Sequence, residues 1–285
     1  MSKRIKVAYQ GIAGAYSHLA CYGYFGEGIE CLESETFEDA MERVERQDAD
    51  FALIPIENKT AGRVDEFYGL IPEMRLHIVG EHYQKIEHCL LGLKGSSLND
   101  IEYVYSHPQG LAQCRNNLNR LHIKPVANFD TAGSARDIAA LNEKNRSAIA
   151  SSLAAKIYGL QILDDKIQDR SDNCTRFIVL SNGEDLKIKE KIPCVTSLIF
   201  EVKNIPSALY HALGGFAKNN INILKIESYI PLGKLGESHF HIDVDGIYDS
   251  VALTGALREL ERYANKVKIL GTYEKSVARV HMEEL

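Results

Sequence analysis

TRFIVLSNGEDLKIKEKIPCVTSLIFEV, residues 175–202, sets two apolar, β-rich runs on either side of a polar stretch. Residues 182–193 are rich in charge and carry a Gly near one end and a Pro at the other, so they read as a linker. The order of elements differs on the two sides, which divides the chain into residues 1–181, the linker 182–193, residues 194–273 and an expected tail at 274–285.

Before the linker, RIKVAYQ, DFALIPI, YVYSH, SAIAS and TRFIVLS read as strands, and FEDAMERVERQ and PQGLAQCRNNLNRL as helices. In the second helix Leu111, Cys114, Leu118 and Leu121 recur every three or four residues, which predicts one continuous apolar face. Alternating strands and helices predict α/β layers around a largely parallel sheet, with ligand groups gathered beyond the carboxyl ends of its strands. After the linker come CVTSLIFEV, PSALYHALGGFAKN, INILKIESYI, ESHFHIDVDG, SVALTGALRELERYA and KVKILGTY. Their order is βαββαβ, that of a ferredoxin-like unit: a four-stranded antiparallel sheet with two helices on one face.

With 285 residues, 45% of them hydrophobic and 25% charged, the chain fits roughly two globular domains. A net charge of −6 offers no basic field for nucleic acid. No run of apolar residues is long enough to span a membrane, and MSKRIKVAYQG passes into a strand without an apolar leader, so a cytoplasmic protein is expected. Cysteines 21, 31, 89, 114, 174 and 194 show neither CxxC nor zinc spacing and are expected as reduced thiols; Cys174 has no neighbouring histidine to make it a nucleophile. His239 and His241 share a strand face but lack a third ligand, so no metal is assigned.

Polar groups collect at strand ends and helix starts. IQDRSDNCTRF, residues 167–177, crowds polar side chains, Asn173 and Thr175 among them, against a buried strand. QGIAGAYSHLA places Gly14 and Ser17 where helix amides suit a carboxylate or phosphate. IPIENKTAGRV places Glu57 and Asn58 at the end of a strand, SHPQGLAQC offers Ser106, His107 and Gln109 before a helix, and DTAGSA offers Thr131, Ala132, Gly133 and Ser134. Each stretch alone is explained by turn and cap chemistry, but recurrence at the same edge of successive strands points to a site. GxGxxG, Walker, HExxH and GxSxG patterns are absent.

In this order, GIAGAYS, IPIENKTAGRV, SHPQGLAQC, DTAGSA, SAIASSLAAKIYGL and NCTRF resemble the successive motifs of the prephenate dehydratases, and the βαββαβ unit resembles the ACT regulatory domain that follows them. The resemblance implies two α/β subdomains arranged like periplasmic binding proteins, with the active site in their cleft. It implies that prephenate is converted to phenylpyruvate, CO2 and water in phenylalanine biosynthesis, without a cofactor. Thr175, Glu57 and Asn58 correspond to the catalytic residues, and Gly14, Ser17, Ser106, Gln109, Thr131, Ala132, Gly133, Ser134 and Asn173 to substrate-binding positions. A threonine hydroxyl is a weak acid, so Glu57 with a raised pKa is the conceivable proton source. Arg176 alternates to the opposite strand face from Thr175 and is expected to be structural.

L-Phenylalanine as effector is implied between paired ACT domains, at Pro206, Ser207, Ala208 and Leu209 and at Glu227 and Ser228, within a homodimer or dimer of dimers. Four departures are visible: Ile12 for Pro, Lys59 after the Glu-Asn pair, Ser207 for Gly, and Tyr229 for Arg with the following proline displaced to Pro231. Two rival functions remain at this level: arogenate dehydratase, and a non-catalytic amino-acid sensor.

Overall fold

In a computed structural model the described residues are 4–183, 192–230 and 239–283, so most of the expected linker and Pro231 lie outside them. The chain builds a first lobe from β1 (Lys6–Gln10), α1 (Tyr16–Phe25), β2 (Glu30–Ser34), α2 (Phe37–Glu45), β3 (Phe51–Asn58), β4 (Gly62–Arg63), α3 (Asp65–Leu70) and β5 (His77–Lys85). It crosses to a second lobe made of β6 (Cys89–Gly92), β7 (Tyr103–Ser106), α4 (Pro108–Gln113), α5 (Arg115–Arg120), β8 (Lys124–Ala127), α6 (Thr131–Leu141), β9 (Arg146–Ala150), α7 (Ser152–Tyr158) and β10 (Gln161–Asp164). Strand β11 (Cys174–Ser181) then returns to the first lobe.

The return crossing decides the sheet. In the first lobe the order is β2-β1-β3-β11-β5, with β1 parallel to β2 and β3 but β11 antiparallel to both β3 and β5. The second sheet, β10-β6-β9-β7-β8, is also mixed: β6 is antiparallel to both neighbours, whereas β7 is parallel to β8 and β9. The expected largely parallel sheet is thus two mixed sheets, because a strand arriving from the other lobe enters the sheet in the reverse direction. Two lobes joined by two crossings form the hinged architecture of periplasmic binding proteins.

Local chemistry sets several boundaries. Thr36 and Asp39 cap α2 reciprocally, while Phe37, Ala40, Met41 and Val44 bury one face. The helix expected over PQGLAQCRNNLNRL breaks at Cys114 into α4 and α5. Asp169 causes the break: its N–H donates to Gln113 O at 2.8 Å, and its carboxylate accepts from the amides of Asn116 and Asn117 at 3.0 and 3.1 Å. A carboxylate brought in by the returning segment caps α5 as a separate helix. The apolar face survives, with Cys114 and Leu118 buried in the second lobe's core.

The C-terminal unit comprises β12 (Cys194–Val202), α8 (Ala208–Lys218), β13 (Ile223–Tyr229), β14 (His239–Asp245), α9 (Val251–Tyr263) and β15 (Ala264–Glu274). Its sheet is ordered β13-β14-β12-β15 with every pair antiparallel, as the sequence predicts. Leu198, Phe200, Ile242 and Val244 on one face pack with Ala212, Phe216, Leu253 and Leu257 of the two helices. The other face presents Val195, Ile199, Tyr229, Leu270 and Tyr273 to Ile54, Ile78, Ile178 and Leu180 of the first lobe, making one core across the linker.

The expected tail is built into the fold over residues 274–283, while 284 and 285 lie outside the described residues. Glu274 closes β15 and Val277–Glu283 form helix α10. Arg279, only 7% exposed, holds Glu81 of β5 through two contacts of 2.8 Å. At Gly271 a Cβ would fall 2.1 Å from the carbonyl oxygen of Ile78. Gly271→Ala should therefore force β15 away from β5 and cost roughly 1–3 kcal/mol, read as a lower urea midpoint. Among the described residues no helix is long and apolar enough to cross a membrane.

Candidate active site

The register between β3 and β11 sorts the polar residues. Thr175 lies opposite Asn58 and Arg176 opposite Glu57. Successive strand residues face opposite sides, so these two cross-strand pairs point away from each other. Thr175 and Asn58 line a cleft of about 1420 Å³ between the lobes; Arg176 and Glu57 face the C-terminal unit.

Within the cleft the hydrogen-bond directions are determined. Asn58 Oδ1 accepts from the backbone amides of Thr60 and Ala61, each at 2.9 Å, which identifies that atom as the oxygen. Asn58 Nδ2 therefore donates to Thr175 Oγ1, at 2.8 Å. The Thr175 hydroxyl accepts from Asn58, and its own proton is left for a group in the cleft. A donated hydrogen bond also stabilises any negative charge that develops on this oxygen.

Glu57 is not in this site. Its carboxylate pairs with Arg176 at 3.2 Å and with Lys225 of β13, and Lys225 in turn lies 3.5 Å from Glu227. Burial pushes the Glu57 carboxyl up, but Arg176 and Lys225 outweigh it and hold the pKa below its ordinary value. The expected raised-pKa proton source thus has its pKa shifted down, and it is an ion-paired residue between the first lobe and the C-terminal unit. The expectation for Arg176 holds: it is 2% exposed and structural.

Other predicted residues divide similarly. Ser17, Gln109, Thr131 and Asn173 line the cleft. Gly14 instead seats α1 against the second lobe: its carbonyl accepts from Ser151 Oγ at 2.6 Å, and a Cβ would meet Ala154 at 2.8 Å. Ser106 is fully buried and donates to Ile149 O at 2.7 Å. Ala132, Gly133 and Ser134 are buried in the first turns of α6; Asp130 caps the Gly133 amide, and Ser134 Oγ donates to Asp130 O. These five residues are framework, because buried helix starts and strand ends need the same small and hydroxylic residues that ligand sites use. Cys174 is half-buried and burial pushes its thiol up, the reverse of an activated nucleophile.

Sequence reasoning missed Tyr16, His88 and Gln113, all of which line the cleft. Gln113 was legible: it lies four residues after Gln109, one turn along the same helix face. For the regulatory positions, Pro206 and Ser207 are exposed, Ala208 is buried and Leu209 half-buried at the start of α8. The Ser228 carbonyl accepts from Arg63 at 2.6 Å.

Asn58→Asp tests the donor direction. An aspartate is nearly the same shape but accepts where Asn58 donates, so it draws the Thr175 proton towards itself. The expected loss in kcat is roughly 10–100-fold, the scale of one hydrogen bond involving a charged group, with a smaller change in KM.

Comparison with known proteins identifies the family. Residues 7–185 match the family model described as prephenate dehydratase. The chain is 40% identical over 273 residues to a bifunctional N-acyl-homoserine lactone acylase/prephenate dehydratase of Komagataeibacter europaeus, covering 96% of this chain and 97% of that protein. It is 41% identical over 285 residues to arogenate dehydratase 2 of Petunia hybrida, across 95% of this chain and 72% of the relative. The crystal structure of prephenate dehydratase from Arthrobacter aurescens in complex with L-Phe superposes with a TM-score of 0.86 at 28% identity, covering 95% of this chain and 90% of that one. With residues 7–185 matched by the family model and 96% of the chain aligned to a relative at 40% identity, the chain belongs to the prephenate dehydratase family.

Proposed function

We propose that the cleft converts prephenate to phenylpyruvate, CO2 and water, with Thr175 as the group that assists the departing hydroxyl. The carrying observation is the Asn58-to-Thr175 hydrogen bond, which leaves the threonine proton directed at the cleft. Family membership makes the chain a lyase of phenylalanine biosynthesis. The electrons of the breaking ring–carboxylate bond complete the aromatic ring, and the C4–oxygen bond breaks as hydroxide leaves. Thr175 stabilises that oxygen by donating a hydrogen bond, and solvent entering the cleft supplies the proton that completes water. Positioning and hydrogen bonding supply the catalysis. The side-chain carboxylate is placed at the start of α1, whose first turn carries neither a side-chain cap nor an acidic residue.

The assay is direct. Purified protein is given prephenate, arogenate or an N-acyl-homoserine lactone, and phenylpyruvate, phenylalanine or free fatty acid is measured. Phenylpyruvate from prephenate is expected; release of phenylalanine from arogenate alone reassigns the substrate, and fatty-acid release alone overturns the proposal.

Regulation belongs to the same proposal. The C-terminal unit acts as an ACT domain that binds phenylalanine between two copies of the chain. Among the described residues strand β13 is a sheet edge, and Ile205, Tyr210, Ile226 and Ile230 are exposed near the candidate ligand residues, which suits pairing of two such units. The amides of Ser207 and Leu209, beside Pro206 and Ala208 at the start of α8, face the ligand carboxylate, and the Glu227 carboxylate faces the ligand ammonium. Light scattering should give a dimer or tetramer, and calorimetry should show phenylalanine binding accompanied by inhibition.

A further inference from the structure

His88 is a buried titratable group that the chemistry above leaves unused. It is 3% exposed and sits at the entry to β6, where the chain crosses between lobes. Its Nε2 lies 2.7 Å from Gln113 Oε1, and its Nδ1 lies 2.7 Å from the Tyr16 hydroxyl. Gln113 Nε2 donates to Thr60 Oγ1 at 2.9 Å, while Gln113 Oε1 also accepts from Asn173 Nδ2 at 3.0 Å. Thr60 Oγ1 donates to Asn58 Oδ1 at 2.8 Å, and Asn58 reaches Thr175.

We propose that His88 is a positioning residue whose Nε2–H pins the amide of Gln113, and so steadies the Thr60 end of the hydrogen-bond chain through which Asn58 presents the Thr175 proton to the substrate. Gln113 Oε1 can only accept, so the ring nitrogen facing it carries the proton, and the Tyr16 hydroxyl shares its single proton between Nδ1, at 2.7 Å, and Glu87 O, at 3.0 Å. Burial lowers the imidazole pKa, with the Gln113 bond opposing, which favours this neutral form. Without His88 the Gln113 amide keeps only its bonds to Asn173 and Thr60 and can turn together with the Asn173 amide. The Gln113 oxygen would then take the Thr60 proton away from Asn58. Asn58 keeps its two backbone donors, so the effect is attenuation of catalysis. The chain alternates between lobes: Tyr16 in the first, His88 and Gln113 in the second, Thr60, Asn58 and Thr175 in the first. The link from His88 and Gln113 to Thr60 is therefore made only while the lobes are together.

The inference rests on the dehydratase assignment, and its test separates the two. Full-length His88→Leu and His88→Gln are compared with the unmodified protein in prephenate kinetics and thermal unfolding, and ring-15N histidine NMR locates the His88 proton. His88→Leu should lose about 10-fold in kcat with KM within about 2-fold. His88→Gln retains a donor towards Gln113 and should recover to within about 3-fold of the unmodified enzyme. NMR should show a neutral ring protonated at Nε2. Equal losses in both variants, effects confined to KM or to melting, or a proton on Nδ1 would overturn the proposal; the NMR result decides even if His88→Leu does not fold. An unmodified protein that turns over neither prephenate nor arogenate sinks the dehydratase assignment instead, while the tautomer measurement still judges the direction of the bond.

Discussion

Thr175→Ala should lower kcat by roughly 10²–10⁴-fold while leaving KM within a few-fold, because the lost proton acts on an oxygen that becomes basic only as the bond breaks. The hydroxyl is 9% exposed and held by Asn58 across the β3–β11 pair, so it cannot be replaced by a neighbouring side chain without a shift of backbone. Removing it also leaves Asn58 Nδ2 without its acceptor. Thr175→Ser keeps oxygen and proton and should retain much of the rate, losing mainly the rotamer restriction of a β-branched side chain. Thr175→Val keeps the shape and should be as inactive as the alanine variant. Steady-state kinetics on folded protein, checked by circular dichroism, decide the matter. An alanine variant with undiminished kcat would remove Thr175 from the mechanism.

Arg176→Gln should be the most destabilising single change, lowering the unfolding free energy by about 3–5 kcal/mol. The guanidinium reaches Glu81 at 3.0 Å, Asp243 at 2.7 Å and Glu57 at 3.2 Å, and donates to the Tyr273 hydroxyl at 2.9 Å. It joins the first lobe to the C-terminal unit, with its side chain and those of Glu81 and Asp243 out of water. Without it Glu81 keeps Arg279, but Asp243 retains only Arg279 at 3.6 Å and His241 at 3.4 Å. A buried carboxylate with such distant partners costs more than the pair was worth. Adding Asp243→Asn to Arg176→Gln should recover part of the loss, since it removes the orphaned charge. The acid response carries the same signature. Burial pushes the Asp243 carboxyl up, but Arg176, His241 and Arg279 outweigh it and hold the pKa well below the ordinary 3.8. A carboxylate depressed in the folded state adds stability above its unfolded pKa and loses it as pH falls towards the folded one. Denaturant midpoints should thus drop below about pH 4 in the unmodified protein, and the part of this drop due to Asp243 should shrink in Arg176→Gln. Equal stability of the two proteins at pH 7 would refute the account.

What the residues alone determined here is local. The βαββαβ order follows from periodicity and turn chemistry within short windows, and it survives folding because neighbours in sequence decide it; the ordered motifs were legible only as a family resemblance. Strand alternation was equally local: it put Arg176 opposite Thr175 in facing, and the same rule applied to Glu57 and Asn58 separates that pair as well. Which face looks into the cleft was not local. It depends on β11 coming back from the second lobe to lie between β3 and β5, and no pattern within either stretch specifies that partner. The same long-range crossing brings Asp169 onto the amides of α5 and splits a helix whose apolar spacing is continuous. Arg176 across the β3–β11 pair and Lys225 from the docked C-terminal unit together turn Glu57 from a candidate acid into an ion-paired residue. His88 carried no sequence signal, because its role comes from Tyr16 and Gln113 meeting it at the lobe boundary. Side-chain type and period are written in sequence; the electrostatic partner, which sets charge and proton direction, is supplied by tertiary contact.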